Sequence, residues 1–248
     1  MNRRSFLSGV SSGALAYASM TAHTLASSED VFQPIRDLLS SKEPAIWLFT
    51  GDSVTHGALH TMGWRSYPEH FAERVRWELQ RRRDVVINTG VSGNTVEKLL
   101  PDLEWRVFRF RPSLVSLMYG MNDCRGGSSG REPFRRNLQE IVTKVRDAGA
   151  LPLLHTPNAI YLPTAGVRKD LCLYVEVIRE FSAQAKVPLV DHYAHWLGIR
   201  REESEICYWL SDGSIHPNQY GHIAMAKLIF EKLGIFDSQS RTCQLYVP

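Results

Sequence analysis

The stretch IWLFTGDS, residues 46–53, is a short apolar run that ends at a Gly-Asp-Ser corner. A continuous apolar run of this length is typical of a buried parallel strand. Ligands of open α/β sheets bind in the crevice outside the carboxyl ends of such strands, so the pattern places the hydroxyl of Ser53 where chemistry occurs. An ordinary turn, in which Asp52 or Ser53 caps the next helix, fits this segment alone equally well.

Three later segments carry polar residues in similar positions. The apolar residues 85–87 lead into NTGVSGN at 88–94, and the apolar run 114–119 leads into GMND at 120–123. Near the carboxyl end of the chain, SDGSIHPN at 211–218 supplies a histidine just before a helical pattern. The sequence therefore predicts small and amide residues at strand ends, followed later in the chain by a histidine.

These four segments, in this order, resemble the blocks of the SGNH hydrolases, also called the GDSL esterases and lipases. The resemblance implies that Ser53 is the nucleophile and that His216 is the base. It also implies three donors to an oxyanion: the backbone amides of Ser53 and Gly93 and the side-chain amide of Asn122. The segments span residues 51–216, which is most of the chain.

The residue types suit ester hydrolysis for reasons of their own. A serine hydroxyl is a poor nucleophile until a base takes its proton, and the imidazole of histidine, which titrates near pH ~6.5, does this at neutral pH. Attack on an ester carbonyl creates an oxyanion, and each preorganised donor to it is worth roughly 3 kcal/mol. Glycine at position 93 lets the backbone approach a substrate without a Cβ in the way. Asn122 also fits an ordinary turn.

The acid that orients His216 departs from the family pattern. The usual fourth block has an aspartate three residues before the histidine, whereas here that position is Gly213 and Asp212 lies four residues before His216. One extra residue in a glycine-containing turn can bulge and leave the carboxylate within reach of the imidazole, so we predict Asp212. A backbone carbonyl in that role remains an alternative. Asp191, which follows an apolar run, is a weaker candidate.

A second serine lies in GGSSG, residues 126–130, which fits the G-x-S-x-G pattern of a nucleophile elbow. An elbow requires a strand, a sharp turn and a helix in immediate succession, and residues 121–125 separate Ser128 from the preceding strand. We therefore interpret the segment as a flexible glycine-serine loop over the site.

Strand and helix patterns alternate along the chain. The predicted strands are 46–50, 85–87, 114–119, 151–155 and 187–190, and the predicted helices are 67–82, 95–108, 133–148, 167–185 and 218–233. Such alternation indicates an α/β protein with a parallel sheet covered by helices on both faces. It agrees with the flavodoxin-like three-layer α/β/α sandwich that the resemblance implies.

The amino terminus has the features of an export signal. Residues 1–26 pair Arg3 and Arg4 with a modestly apolar stretch rich in Gly, Ser and Ala, and they resemble a twin-arginine signal. The segment is too short and too polar for a good membrane span. The sequence therefore predicts a twin-arginine-type signal at 1–26, with an uncertain cleavage site, and the hydrolase domain at 27–248. The chain is expected to pass through the twin-arginine export machinery. After processing it would be a periplasmic or secreted protein without a stable membrane span.

Composition fits one enzyme domain. At 248 residues, with 44% hydrophobic and 22% charged residues, the chain can bury a sizeable core without splitting. Loss of the two arginines of the signal lowers the net charge from +3 to +1. A nearly neutral protein has no strong general affinity for polyanions, so a nucleic-acid partner is not expected.

Other polar and aromatic groups have ordinary structural explanations. The pairs His56 with His60 and His192 with His195 lack a third ligand at zinc spacing, so we interpret them as surface or packing residues and expect no metal and no cofactor. Arginines 74, 76 and 81–83 lie toward the end of a helical pattern and are interpreted as a solvated helix end. Three aromatic residues could line a sugar-binding cleft or belong to the core, which is the commoner case. These are Tyr161, Trp196 and Trp209.

Together these features predict an exported serine esterase that removes small acyl groups, foremost acetyl, from a carbohydrate or other small ester through an acyl-enzyme. The carbohydrate substrate rests on analogy with the family. A lipid acylhydrolase or thioesterase is the alternative. A non-catalytic carbohydrate-binding relative ranks lower, because none of the four block residues is lost.

Overall fold

A five-stranded parallel sheet forms the centre of the fold, with strand order β2-β1-β3-β4-β5. The computed structural model describes residues 30–199 and 202–248. The strands are β1 Ile46–Gly51, β2 Val85–Asn88, β3 Leu114–Met118, β4 Leu151–His155 and β5 Leu189–Val190. The predicted parallel sheet is confirmed, and every predicted strand is present, although the last is shorter than expected.

The apolar character of β1 follows from its interior place in the sheet. It pairs with β2 on one side and β3 on the other, with Trp47 opposite both Val86 and Leu114. Successive side chains of a strand point to opposite faces, and here Leu48 joins one hydrophobic core while Trp47 and Phe49 join the other. Both faces are buried, so the run cannot alternate with polar residues.

Helices cover both faces of the sheet. They are α1 Gln33–Ser40, α2 Ser53–His56, α3 Tyr67–Ala72, α4 Val96–Leu99, α5 Leu103–Arg106, α6 Arg131–Asp147, α7 Leu171–Ala185, α8 His192–Ile199, α9 Gln219–Leu233 and α10 Arg241–Gln244. Buried residues of α4 to α7 belong to the first core, and those of α1, α3, α8 and α9 belong to the second. The three-layer α/β/α sandwich is therefore confirmed.

Two predicted helices are interrupted. The helix expected at 67–82 is α3 followed by a π-helix, Glu73–Glu78, and the one expected at 95–108 is split into α4, a 3₁₀ turn and α5. Pro101 lies in that 3₁₀ turn, where it lacks the backbone N–H that a continuous α-helix needs. Helices α1, α2, α8 and α10 were not predicted.

The interpretation of the arginine run as a solvated helix end is wrong for two of its members. The buried Arg74 donates to the Ile235 carbonyl at 2.9 and 2.7 Å and to Glu78 at 3.1 Å. Arg81 donates to the buried Asp84 at 2.7 Å. Both guanidinium groups thus tie the end of this helical segment to neighbouring loops.

Two of the three aromatic residues considered for a sugar cleft belong to the core. Trp196 and Trp209 are fully buried and pack edge to face, with ring centroids 5.0 Å apart. Tyr161 is partly buried and packs against the second hydrophobic core. The core interpretation is confirmed for the two tryptophans.

The predicted export signal, residues 1–26, lies outside the described residues. Within 30–199 and 202–248, no helix combines the length and hydropathy required to cross a bilayer.

Gly51, the last residue of β1, allows the chain to turn toward Ser53. A Cβ at this position would lie 2.2 Å from Thr55 Oγ1 and 2.6 Å from the Met118 carbonyl oxygen. We therefore expect Gly51→Ala to lower the free energy of unfolding by about 1–3 kcal/mol, as overpacking does. Urea unfolding measures this. In the control Gly166→Ala, the added Cβ has no heavy atom within 4 Å, and equal stability of the two variants would contradict the prediction.

Candidate active site

Ser53 lies at the sharp turn from β1 into α2. Asp52 is the N-cap of this short helix, and its Oδ1 accepts a hydrogen bond of 2.9 Å from the Val54 amide. Ser53 is buried. The turn therefore holds the Ser53 hydroxyl at the carboxyl edge of the sheet, beside its central strand.

Ser53, His216 and Asp212 form one hydrogen-bonded chain. Ser53 Oγ lies 2.9 Å from His216 Nε2, and His216 Nδ1 lies 2.5 Å from Asp212 Oδ2. A carboxylate only accepts, so Nδ1 carries the proton and Nε2 is left to accept the hydrogen of the serine hydroxyl. The arrangement has the connectivity of a nucleophile, a base and an orienting acid.

The loop before α9 brings His216 to this position. Asn218 caps α9, and its Oδ1 accepts from the amides of Tyr220 at 2.9 Å and Gly221 at 3.1 Å. Pro217 forms an isolated antiparallel bridge with Leu210. The cap and the bridge fix the backbone immediately after His216.

The turn at Asp212 accommodates the residue that separates this chain from the family pattern. Gly213 takes a positive φ of 60°, and Asp212 Oδ1 accepts from the amides of Ser214, Ile215 and His216 at 2.9, 2.9 and 3.1 Å. Partial burial raises the pKa of Asp212, but the hydrogen bonds from the His216 ring and from these amides outweigh it and hold the pKa below its usual value. Asp212 is thus an ionised partner for His216.

The other candidates occupy different positions. Asp191 Oδ2 accepts from Arg179 at 2.7 Å, and its Oδ1 accepts from Thr156 at 3.0 Å and from the Ala194 amide at 3.0 Å. Asp191 therefore stabilises the start of α8. Ser128 begins a 3₁₀ turn, Ser128–Gly130, that follows another 3₁₀ turn and not a strand, so the geometry of a nucleophile elbow is absent there.

The second block packs against the helix that carries Ser53. The Val91 amide donates to the Gly51 carbonyl at 3.0 Å, and His56 Nδ1 lies 3.1 Å from Ser92 Oγ. The next residue, Gly93, is exposed with a positive φ of 76°, and no heavy atom lies within 4 Å of the position that a Cβ would take. The backbone at Gly93 is therefore open on the side where a side chain would stand.

Asn122 lies beside the second block and is held at both ends of its amide. Its Nδ2 donates to the Asn94 carbonyl at 3.2 Å, and its Oδ1 accepts from Arg168 Nη2 at 3.1 Å. Arg168 is itself fixed, since its Nε donates to the Met121 carbonyl at 3.0 Å. Because the oxygen end faces Arg168, the nitrogen end of Asn122 is the one available to an oxyanion. Sequence reasoning missed Arg168, which no motif marks.

Two buried acids lie beneath these loops. Burial raises the pKa of Asp52 to about 7 against the opposing effect of its hydrogen bond from Val54, and Asp52 Oδ2 has no partner within the described part of the chain. Burial likewise raises the pKa of Asp123 to about 6, although Asp123 accepts from the amides of Val96 and Gly120, both at 2.9 Å. Asp123 thereby joins the second and third blocks.

His60 is a further residue that sequence reasoning interpreted only as surface or packing. Its ring stacks on that of His216, with centroids 3.5 Å apart and an interplanar angle of 5°. His192, of the other pair, is fully buried and stacks on His155, which agrees with a packing role. Among the described residues, no group of three or more His, Cys, Asp or Glu side chains is placed to hold a metal ion.

A serine, a histidine and an aspartate joined at the carboxyl edge of a parallel sheet define a hydrolase that uses a serine nucleophile. The chain belongs to the GDSL-like lipase/acylhydrolase family, whose model matches residues 49–224. It is a carboxylic ester hydrolase of the SGNH type.

Two relatives and one solved structure illustrate the likeness. An acetylxylan esterase of Geobacillus stearothermophilus is 26% identical, over 78% of this chain and 96% of that protein. The uncharacterized lipoprotein YqeF of Bacillus subtilis is 25% identical, over 76% of this chain and 87% of that protein. A catalytic mutant of Axe2, an acetylxylan esterase from Geobacillus stearothermophilus, superposes with a TM-score of 0.65 at 20% identity, over 78% of this chain and 97% of the other. That structural likeness shows the fold.

Asp52 gives the stability of the protein a distinctive pH dependence. Its pKa of about 7 in the folded state exceeds the 3.8 of an ordinary aspartate, so the folded state favours the protonated carboxyl. The resulting stability is present below pH ~4 and is lost as the pH rises through about 7. An asparagine side chain does not ionise, so the Asp52→Asn variant does not lose stability in this way. We expect its stability relative to wild type to rise by up to ~4 kcal/mol as the pH increases across this range.

Urea unfolding at pH 5, 6.5 and 8 measures this difference. The control Asp147→Asn removes a carboxyl from an exposed position at the end of α6. A difference between Asp52→Asn and wild type that stays constant from pH 5 to 8 would show that Asp52 is ionised throughout.

Proposed function

We propose that the protein is an exported serine esterase that removes short acyl groups, foremost acetyl, from carbohydrates through an acyl-enzyme. The observation that carries this proposal is the hydrogen-bonded chain from Ser53 Oγ through His216 to Asp212, with contacts of 2.9 and 2.5 Å. A hydroxyl bonded to an imidazole that a carboxylate orients is an activated nucleophile.

In the proposed reaction, Ser53 Oγ bonds to the ester carbonyl carbon while its proton moves to His216 Nε2. The carbonyl electron pair moves onto oxygen and forms a tetrahedral oxyanion. The bond to the alcohol oxygen then breaks, and His216 returns the proton to that oxygen. Water repeats the sequence on the acyl-enzyme and frees Ser53, while Asp212 stabilises each imidazolium that forms.

The proposed oxyanion donors are the amides of Ser53 and Gly93 and Nδ2 of Asn122. Open backbone at Gly93 supports its part in this set, and the bond from Arg168 to Asn122 Oδ1 supports that of the side-chain amide. Donors held in this way need no reorganisation when the negative charge develops.

A cavity beside Asn122 offers hydrogen-bonding groups to a hydroxylated substrate. It has a volume of about 260 Å³ and a wall of both polar and apolar residues, and Thr95, Glu97 and Asn137 contribute the polar groups. The related Geobacillus stearothermophilus protein is named an acetylxylan esterase, and catalytic mutants of Axe2 replace a serine, an aspartate or a histidine. An acetylated saccharide is thus the proposed substrate class.

One observation favours the alternative of a lipid acylhydrolase or thioesterase. The loop that carries His60 exposes Leu59, Met62 and Trp64, with 86%, 78% and 61% of their surfaces accessible. An apolar patch beside the site suits a longer acyl chain. A non-catalytic binding relative has no such support, because the serine, histidine and aspartate are all present and hydrogen-bonded.

Export through the twin-arginine machinery, with a signal at 1–26 and an enzyme domain at 27–248, is the proposed route to a periplasmic or secreted location. The paired Arg3 and Arg4 support it. A relative that is a lipoprotein agrees with a site of action outside the cytoplasm.

We expect Ser53→Ala to abolish hydrolysis of p-nitrophenyl acetate and release of acetate from acetylated xylooligosaccharides, because no hydroxyl remains to form the acyl-enzyme. Ser128→Ala is the matched control and should retain wild-type kcat. Loss of activity in Ser128→Ala but not in Ser53→Ala would show that Ser53 is not the nucleophile.

A series of p-nitrophenyl esters from acetate to laurate separates the two substrate classes, since a lipid acylhydrolase prefers the longer chains.

Asp212→Asn should lower kcat by several orders of magnitude, about 10⁴-fold in the strongest case, because the amide no longer selects the productive tautomer of His216. Circular dichroism should show that the domain still folds. Asp191→Asn is the control and should cost stability more than kcat, since Asp191 binds Arg179. A mild effect at Asp212 would mean that another group orients the imidazole.

A further inference from the structure

The imidazole of His216 is held at both nitrogens and also covered on one face. Its Nε2 is hydrogen-bonded to Ser53, and its Nδ1 is hydrogen-bonded to Asp212. The ring of His60 lies flat on one face of the imidazole, with centroids 3.5 Å apart and planes within 5° of parallel. Hydrogen bonds at the two nitrogens leave the ring free to tilt about the line that joins them, and a stacked neighbour opposes that motion.

The backbone around His60 is strained in a way that its neighbours do not explain. Leu59 and Met62 both adopt positive φ angles, of 67° and 54°, which cost L-residues about 1–2 kcal/mol each. Both side chains are exposed, so their own packing does not offset the strain. What the loop does bury is Thr61 and part of His60. Local strain of this kind is found at functional sites.

The electrostatic surroundings keep His60 uncharged. Partial burial lowers its pKa, the nearby His216 and His56 lower it further, and Asp212 opposes them. The buried His222 of α9 also interacts with both rings, and its own pKa is lowered to about 3, mainly by burial. His60 is therefore a neutral ring whose face lies against the imidazole, where it attracts an imidazolium.

We propose that His60 is a positioning residue that holds the His216 imidazole in line with Ser53 and stabilises the imidazolium formed during acylation. This inference rests on the proposed function, since it requires that His216 be the base. It assigns to the loop between α2 and α3 a part in catalysis that the four sequence blocks do not include.

Three substitutions of His60 separate the effect of ring stacking from the effects of charge and of altered folding. We expect His60→Ala to lower kcat for p-nitrophenyl acetate about 3- to 10-fold, with KM changed less than about twofold, as loss of an aromatic pair predicts. His60→Phe keeps a neutral ring and should recover most of the loss. His60→Arg places a permanent cation on the imidazole and should lower kcat further. His195→Ala, which removes a partly buried histidine of α8, is the control and should match wild type.

The pH profile of kcat/KM supplies a readout that a merely structural role would not move. In His60→Ala, the imidazolium loses the ring face that stabilises it, so the acid limb should move to lower pH. In His60→Arg, like-charge repulsion adds to that loss, so the acid limb should move to still lower pH. His60→Phe should keep the wild-type limb. Should the alanine variant unfold, the phenylalanine and arginine variants still decide the matter.

Several results would overturn the inference. An unmoved acid limb in the arginine variant, or equal kcat for the alanine and phenylalanine variants, would leave His60 as a packing residue. An effect on KM alone would make it a substrate contact. If Ser53→Ala remained active, the proposed function itself would fail. An inactive Ser53→Ala together with wild-type kinetics in every His60 variant would reject only the positioning role.

Discussion

The hydrogen bond between Ser53 Oγ and His216 Nε2 joins two segments separated by 163 positions in the chain, and the rest of the site is arranged around it. Each partner lies next to a local capping motif. Asp52 caps the helix that begins at Ser53, and Asn218 caps the helix that follows His216. Capping interactions are short-range and individually worth only about 1 kcal/mol, but they decide where each backbone turns. The position of β1 between β2 and β3 then determines which loops meet.

Bringing these loops together requires buried polar groups that reduce stability. Asp52 Oδ2 and Asn94 Nδ2 have no hydrogen-bond partner among the described residues, and an unsatisfied buried group costs about 1–3 kcal/mol. Asp123 has a compensating function, since its two oxygens accept from Val96 and Gly120 and join neighbouring loops. The carboxyl edge of the sheet thus contains two acids whose pKa values burial raises, and only Asp123 uses both of its oxygens to join loops.

Much of the scaffold could be predicted from sequence because its causes are local. Continuous apolar runs in the sequence predict the strands. Asn218, which caps α9, indicates where that helix begins. The failures had both local and long-range origins. Pro101 breaks a pattern that otherwise looks helical, and Arg74 turns inward to bind the Ile235 carbonyl, a partner that only the tertiary fold supplies. Hydrophobic periodicity carries no information about such long-range polar contacts.

The site shows the same division between local and long-range causes. The turn at Asp212 could be predicted because it lies entirely within residues 212–216. Gly213 in this turn adopts the positive φ that the extra residue requires. The contact of Arg168 with Asn122 and that of His60 with His216 depend instead on how distant loops pack. Neither residue belongs to a block, because a positioning role can be filled from whichever loop passes nearby. The proposed reacting groups can therefore be predicted from spacing, whereas the groups that contact them are visible only in three dimensions.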